Sequence, residues 1–266
     1  MNSLYSQEVS KCNKKDAIIA IGFFVYFIIR DFAVSIIYSQ FNISGGEWRI
    51  LIGITCIIDI LIVFAIVKIR KQNLASIGLH KKNIWSALGL GLLFAPIFIL
   101  QRIMQGGVVG WELYSFGSFM VALMNITLWA VREDISFVGF IQTRLHGLVK
   151  NDFWAVNLGA ALFVLAHVPS RLIQGIPMGY IIFILLLANW FFMYRAFVLL
   201  FKRYYSLIPV FIMHIASNFP RLWQGDGITD WLWIAVPTAV FVLAVEFWYG
   251  RWSKSHTDDV GERIIP

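Results

Sequence analysis

Hydrophobic runs of roughly spanning length recur along the chain, each closed by a short cluster of charged or glycine-containing positions. They fall at 17–38, 50–67, 84–103, 116–145, 153–168, 178–200, 206–219 and 228–249. About 20 apolar residues wound as an α-helix match the hydrocarbon thickness of a bilayer. The pattern therefore predicts an all-α fold: a polytopic membrane helical bundle of about eight transmembrane helices. Strands are not expected, because no alternating barrel pattern is present and an open sheet edge has no partner for its backbone groups in lipid. The runs at 153–168 and 206–219 are short, which suits helices that tilt little or sit deep in the bundle.

Composition sharpens this picture. Hydrophobic residues make up 59% of the 266 positions, more than a soluble domain carries. No space remains for a separate soluble domain, so the expectation is a single membrane domain over 1–266, with 1–16 and 250–266 as cytoplasmic tails. The formal charge of +7 would suit a nucleic-acid partner if it were clustered. Its Lys and Arg residues instead fall between the apolar runs, where topology accounts for them, so membrane lipids are expected as partners and nucleic acid is not. In an eight-span layout most of these cations, from Lys11 to Arg263, share one side, and only Arg49, Arg102, Arg171 and Arg221 lie on the other. The positive-inside rule then predicts a multi-pass protein of the cell membrane with both termini cytoplasmic. Cys12 and Cys56 lie far apart in kind, one in a basic segment and one in an apolar run, which predicts neither a disulfide nor a cysteine metal site.

Polar groups inside the apolar runs carry the chemistry. Glu133 and Asp134 sit mid-run, and an ionised group in hydrocarbon costs at least a few kcal/mol, so an acid there is a functional candidate with a partner. The later runs supply partners. His214 and Asn218 are four apart, hence on one helix face, and Phe163 and His167 have the same relation, with the ring able to wall a pocket under the imidazole. Arg30, Asp31 and Asp59 are expected to be structural pairs. Arg132 is the nearest cation to Asp134 in sequence, although residues two apart on a helix do not face each other. The outward ends of three runs repeat a pattern of Arg, an apolar residue, any residue, Gln and Gly, beginning at Arg102, Arg171 and Arg221. The plain reading is a snorkelling arginine before a helix stop. The sharper one is an outer rim that attracts an anionic headgroup or an acidic substrate segment.

An acid, two imidazoles and an amide suffice to hydrolyse a peptide bond. The acid takes a proton from water and later hands it on, while imidazole and amide N–H groups hold the developing oxyanion. Two histidines and a glutamate are equally a ligand set for catalytic zinc, with Glu133, His167 and His214 as the ligands. The residues alone leave both uses open. No His-Glu-x-x-His helix is present, which excludes a zincin-type arrangement.

Three motifs in order, Glu-Asp-x-x-Phe-x-Gly at 133–139, Phe-x-x-x-His at 163–167 and His-x-x-x-Asn at 214–218, resemble those of the CAAX protease and bacteriocin-processing (Abi) family of intramembrane endopeptidases. The resemblance covers about 73–219, including Leu74-Ala-Ser-Ile-Gly78 ahead of the core. It implies Glu133 as the residue that activates water, His167 as the group that positions it, and His214 with Asn218 as the oxyanion site. Asp134 and Phe163 would support them. No cofactor is expected, the resemblance leaning toward a metal-free mechanism. The chain departs from the family at two positions: Asp134 replaces a second Glu, and Val138 stands where the motif has Arg.

The function implied is an intramembrane endopeptidase acting on a peptide or a membrane-anchored, lipidated segment. Val138 favours a second reading, a catalytically silent binding or immunity protein that keeps the fold. An ion-coupled transporter is the weakest reading, since no inverted repeat or pair of broken helices is visible.

Overall fold

Asn13 starts the first long helix with a reciprocal cap. Its side-chain oxygen accepts from the backbone N–H of Lys15 and Asp16 at 2.9 and 3.2 Å, and Asp16 accepts from the Asn13 N–H at 3.0 Å. The computed structural model describes residues 4–41, 45–106, 116–174, 179–219 and 228–257. A short helix α1 (Leu4–Val9) precedes α2 (Lys14–Gln40) and α3 (Gly45–Ile69), and a 3₁₀ turn (Leu74–Ile77) leads to α4 (Ile84–Gly106). Next comes a continuous rod made of α5 (Phe116–Glu133), a π-helical stretch (Asp134–Ile141) and α6 (Gln142–Leu145). After it come α7 (Asp152–Gln174), α8 (Gly179–Tyr204), α9 (Ile208–Ser217) and α10 (Ile228–Thr257).

Every apolar run is thus helical, no strand occurs among the described residues, and the helical membrane bundle is the fold. Among the described residues five helices, α2, α3, α4, α7 and α8, are long and apolar enough to cross a bilayer, which makes this a multi-pass membrane protein. Exposed Ile29, Ile50, Leu61, Leu93 and Leu243 face outward, as lipid-contacting positions must. The two short runs behave differently from each other. The 153–168 run extends through Pro169 to Gln174. The 206–219 run gives α9 only ten residues, about 15 Å of helix, half the hydrocarbon thickness.

That half-length helix is held by α4. The alternation of small residues around Gly91 leaves α4 thin where α9 meets it: a Cβ at Gly91 would stand 2.7 Å from the Ile212 side chain and 3.1 Å from the Pro209 backbone. Pro209, at the start of α9, has no N–H to leave unsatisfied there. An aromatic seam packs the bundle centre, with Phe27 against Phe137 at 5.0 Å and Phe137 against Phe163 at 5.3 Å between ring centroids.

The segment before α2, read from sequence as a tail, carries α1 packed onto the bundle. Tyr5 is 3% exposed, and its hydroxyl is hydrogen-bonded with the His146 ring nitrogen Nε2 at 2.8 Å. The two cysteines are free and buried.

Candidate active site

Glu133 stands at the last residue of α5, where the backbone widens from α to π. Stretches of π-helix occur mostly as short bulges and often at functional sites; this one runs for eight residues, all buried. Trp129, one turn before Glu133, donates its indole N–H to Oε1 of the acid. The Arg132 guanidinium donates to the same oxygen at 2.8 Å. One carboxylate oxygen is therefore fixed, and the other faces the imidazoles.

Both rings turn the same atom toward it. His167 Nε2 lies 3.8 Å and His214 Nε2 lies 3.7 Å from Glu133 Oε2. Each Nδ1 is occupied elsewhere. His167 Nδ1 is 2.8 Å from the Phe163 carbonyl, and a carbonyl only accepts, so that nitrogen carries the proton. His214 Nδ1 is 2.8 Å from Asp134 Oδ1, so an acid orients this second ring. Arg132 thus serves Glu133 and not Asp134, whose partner is His214: two residues apart on the rod, Arg132 and Asp134 face different ways.

The site opens on a cavity of about 560 Å³ lined by Glu133, Phe163, His167, His214 and Asn218. Asn218 is the C-cap of α9, its amide within 3.3 Å of the His214 carbonyl. Phe163 lies under the His167 ring at 4.6 Å, as its spacing predicts. Trp190 covers the other flank at 4.8 Å, and Phe197 lies 5.5 Å from His214. Trp129, Trp190, Asn189 and Tyr194 also line the cavity and were not among the sequence candidates. Trp129 was the reachable one, at four residues before Glu133. The others sit on α8, a helix with no acid or histidine to draw attention to it.

Arg102 and Arg171 line the same cavity. Arg102 Nε donates to the Ser217 carbonyl at 2.7 Å, capping the C-terminal end of α9. Arg171 lies over the Trp190 ring at 5.6 Å. Arg221 lies outside the described residues. Arg30, Asp31 and Asp59 pair with one another, as expected of structural charges. Among the described residues no group of three His, Cys, Asp or Glu side chains has an arrangement suited to holding a metal ion.

A helical membrane protein with one acid and two imidazoles converging inside the bundle is the class that fold and site define. Residues 115–220 match the family model described as type II CAAX prenyl endopeptidase Rce1-like, the CAAX protease family that the three motifs resemble. Glu133, His167, His214 and Asn218 all fall within the matched stretch. Comparisons with curated proteins and with solved structures give no match.

Proposed function

We propose that this protein is an intramembrane endopeptidase that cleaves a peptide or a membrane-anchored, lipidated segment with a water activated by Glu133. The observation that carries this reading is the convergence of two Nε2 atoms on the one carboxylate oxygen that Trp129 and Arg132 leave open.

The steps follow from who holds which proton. Glu133 Oε2 takes a proton from water while the neutral His167, its Nδ1–H given to Phe163, orients that water through the Nε2 lone pair. The hydroxide oxygen bonds to the scissile carbonyl carbon, and the carbonyl electrons move to its oxygen. His214 as the imidazolium, its charge balanced by Asp134, donates Nε2–H to that oxyanion, and the Asn218 amide lies on the same cavity wall to donate beside it. When the tetrahedral centre collapses, the C–N bond breaks and Glu133 returns its proton to the leaving amine.

Glu133→Gln tests the reading on a quenched peptide bearing a lipidated cysteine, in detergent or proteoliposomes. The rate falls by roughly 10²- to 10⁴-fold while folded yield is kept; an unchanged rate overturns it. A chelator leaves the native rate unaltered; a loss restored by zinc would instead make Glu133, His167 and His214 its ligands.

The protein works in this reading in the cell membrane with both termini cytoplasmic, which places the end bearing Arg70, Arg144 and Lys202 inside. Arg102 and Arg171 at the cavity wall attract an anionic headgroup or acidic segment of the substrate.

A further inference from the structure

Behind Glu133, away from the cavity, lies an assembly of charges that the hydrolytic steps do not use. Arg30 on α2 donates to both Asp31 and Asp59. Arg132 NH1 lies 3.7 Å from Asp31 and 3.9 Å from Asp59, while its NH2 holds Glu133 Oε1 at 2.8 Å. Tyr26 donates to the other Asp59 oxygen at 3.2 Å. Both guanidinium groups lie over the Phe27 ring, at 4.6 and 4.8 Å from its centroid. Asp59 is 0% and Arg132 1% exposed, and neither lines the cavity.

Neighbours in sequence do not face each other on a helix. The Arg132 guanidinium that reaches back to the Glu133 beside it is faced on its far side by Asp31 and Asp59. Charge agrees with geometry. Two guanidinium groups face Asp31, Asp59 and Glu133, so one negative charge is in excess when all three are ionised and none when Glu133 takes the proton of water. The position that carries Arg in the motif is here Val138, buried in the apolar core at 1% exposure. The cation of this site comes from one residue before the acid and not from five after it.

We propose that Asp59 is a positioning residue for the hydrolytic reaction: together with Asp31, which Arg30 ties to it, it holds the Arg132 guanidinium that pins Oε1 of Glu133, and so keeps Oε2 as the only oxygen free for water. The inference rests on the reading of Glu133 as the acid that activates water. Removing the anchor loosens Glu133 without touching the substrate wall, so kcat falls and KM does not. A buried charge that served only stability would change folded yield and leave kcat of the folded fraction alone.

Asp59→Asn is the first variant, assayed on the quenched lipopeptide with folded yield measured alongside. The expected result is a roughly 10- to 100-fold fall in kcat at unchanged KM, the scale of a misplaced reacting group. A native kcat in the folded variant overturns the proposal. If Asp59→Asn does not fold, the pair Arg30→Gln with Asp59→Asn removes one charge of each sign, and the same kcat loss is expected of it. An infrared measurement with isotope-labelled glutamate, its Glu133 band assigned from Glu133→Gln, needs no turnover: the band moves in Asp59→Asn if the anchor acts, and stays if it does not. Should native turnover be indifferent to Glu133→Gln, the proposed function fails, while the infrared band still decides whether Asp59 governs the acid.

Discussion

Arg132 and Arg144 lie on the same rod and are equally buried, each 1% exposed, yet their surroundings differ in kind. Arg144 meets neutral acceptors. It donates to the Ser76 carbonyl at 2.7 Å, the Ser76 hydroxyl at 2.7 Å, Gln72 at 2.6 Å and Thr143 at 2.6 Å, and it lies over Phe140. Those partners bracket the 3₁₀ turn to the end of the rod, and none of them lines the cavity. Arg132 meets acids, and its chain of charges ends at a carboxylate facing a cavity. A cation surrounded by neutral acceptors fixes a shape. A cation in a chain of acids fixes a shape and also sets how one of those acids handles a proton.

The difference is sharpest if Arg144 is removed. Arg144→Gln removes the donor to Gln72 and to the Ser76 hydroxyl, and each buried acceptor left unsatisfied costs about 1–3 kcal/mol. Thermal unfolding in detergent should show that loss, with kcat of the folded fraction retained. Equal losses of kcat and stability would erase the distinction between the two arginines.

Acid provides the next largest effect, near the Arg144 end. Burial pushes the His146 ring down from its ordinary value to about 4, against the pull of Asp152. The unfolded chain therefore binds a proton below about pH 6.5 that the folded protein refuses until about pH 4. Stability is full above the upper value and is lost as pH falls through this window, by up to about 3 kcal/mol. Denaturation midpoints measured from pH 7 to pH 4 should show the fall, and His146→Gln should flatten it.

The smallest effect lies at the seam joining the two regions. A Cβ at Gly139 would stand 2.8 Å from the Ile77 carbonyl, a backbone atom that has little room to yield. Gly139→Ala should cost about 1–3 kcal/mol in the unfolding midpoint and lower kcat only as far as the π stretch shifts.

Much of this was legible in the chain. The apolar runs mark the helices because lipid accepts no other use of so many consecutive apolar residues, and the spacing of Phe163 with His167 and of His214 with Asn218 marks shared faces. What was not legible has physical reasons. Periodicity carries no sign of a change from α to π winding, so the way Glu133 and Asp134 divide between two sets of partners was hidden. Asp59 and Arg132 are 73 positions apart in the chain, and only the packing of α3 against the rod reveals that they share a purpose. Val138 read as a loss, because the cation that serves Glu133 had to be sought on the other side of the acid. The packed α1 was hidden too: a basic, polar segment reads as a tail until Tyr5 finds its pocket.

A π-helical stretch is an α-helix with surplus chain wound into it. The rod from α5 to α6 is therefore a shaft in two phases, and the stretch Asp134–Ile141 is its coupling. An α-helix turns about 100° per residue, and the wider π winding turns less. Winding the same eight residues as plain α-helix would therefore rotate the Arg144 end against the Glu133 end. Arg144 could stay in its bracket, or Glu133 could keep its histidines, but not both at once. The register between a structural end and a chemical end is thus stored in the winding of this stretch.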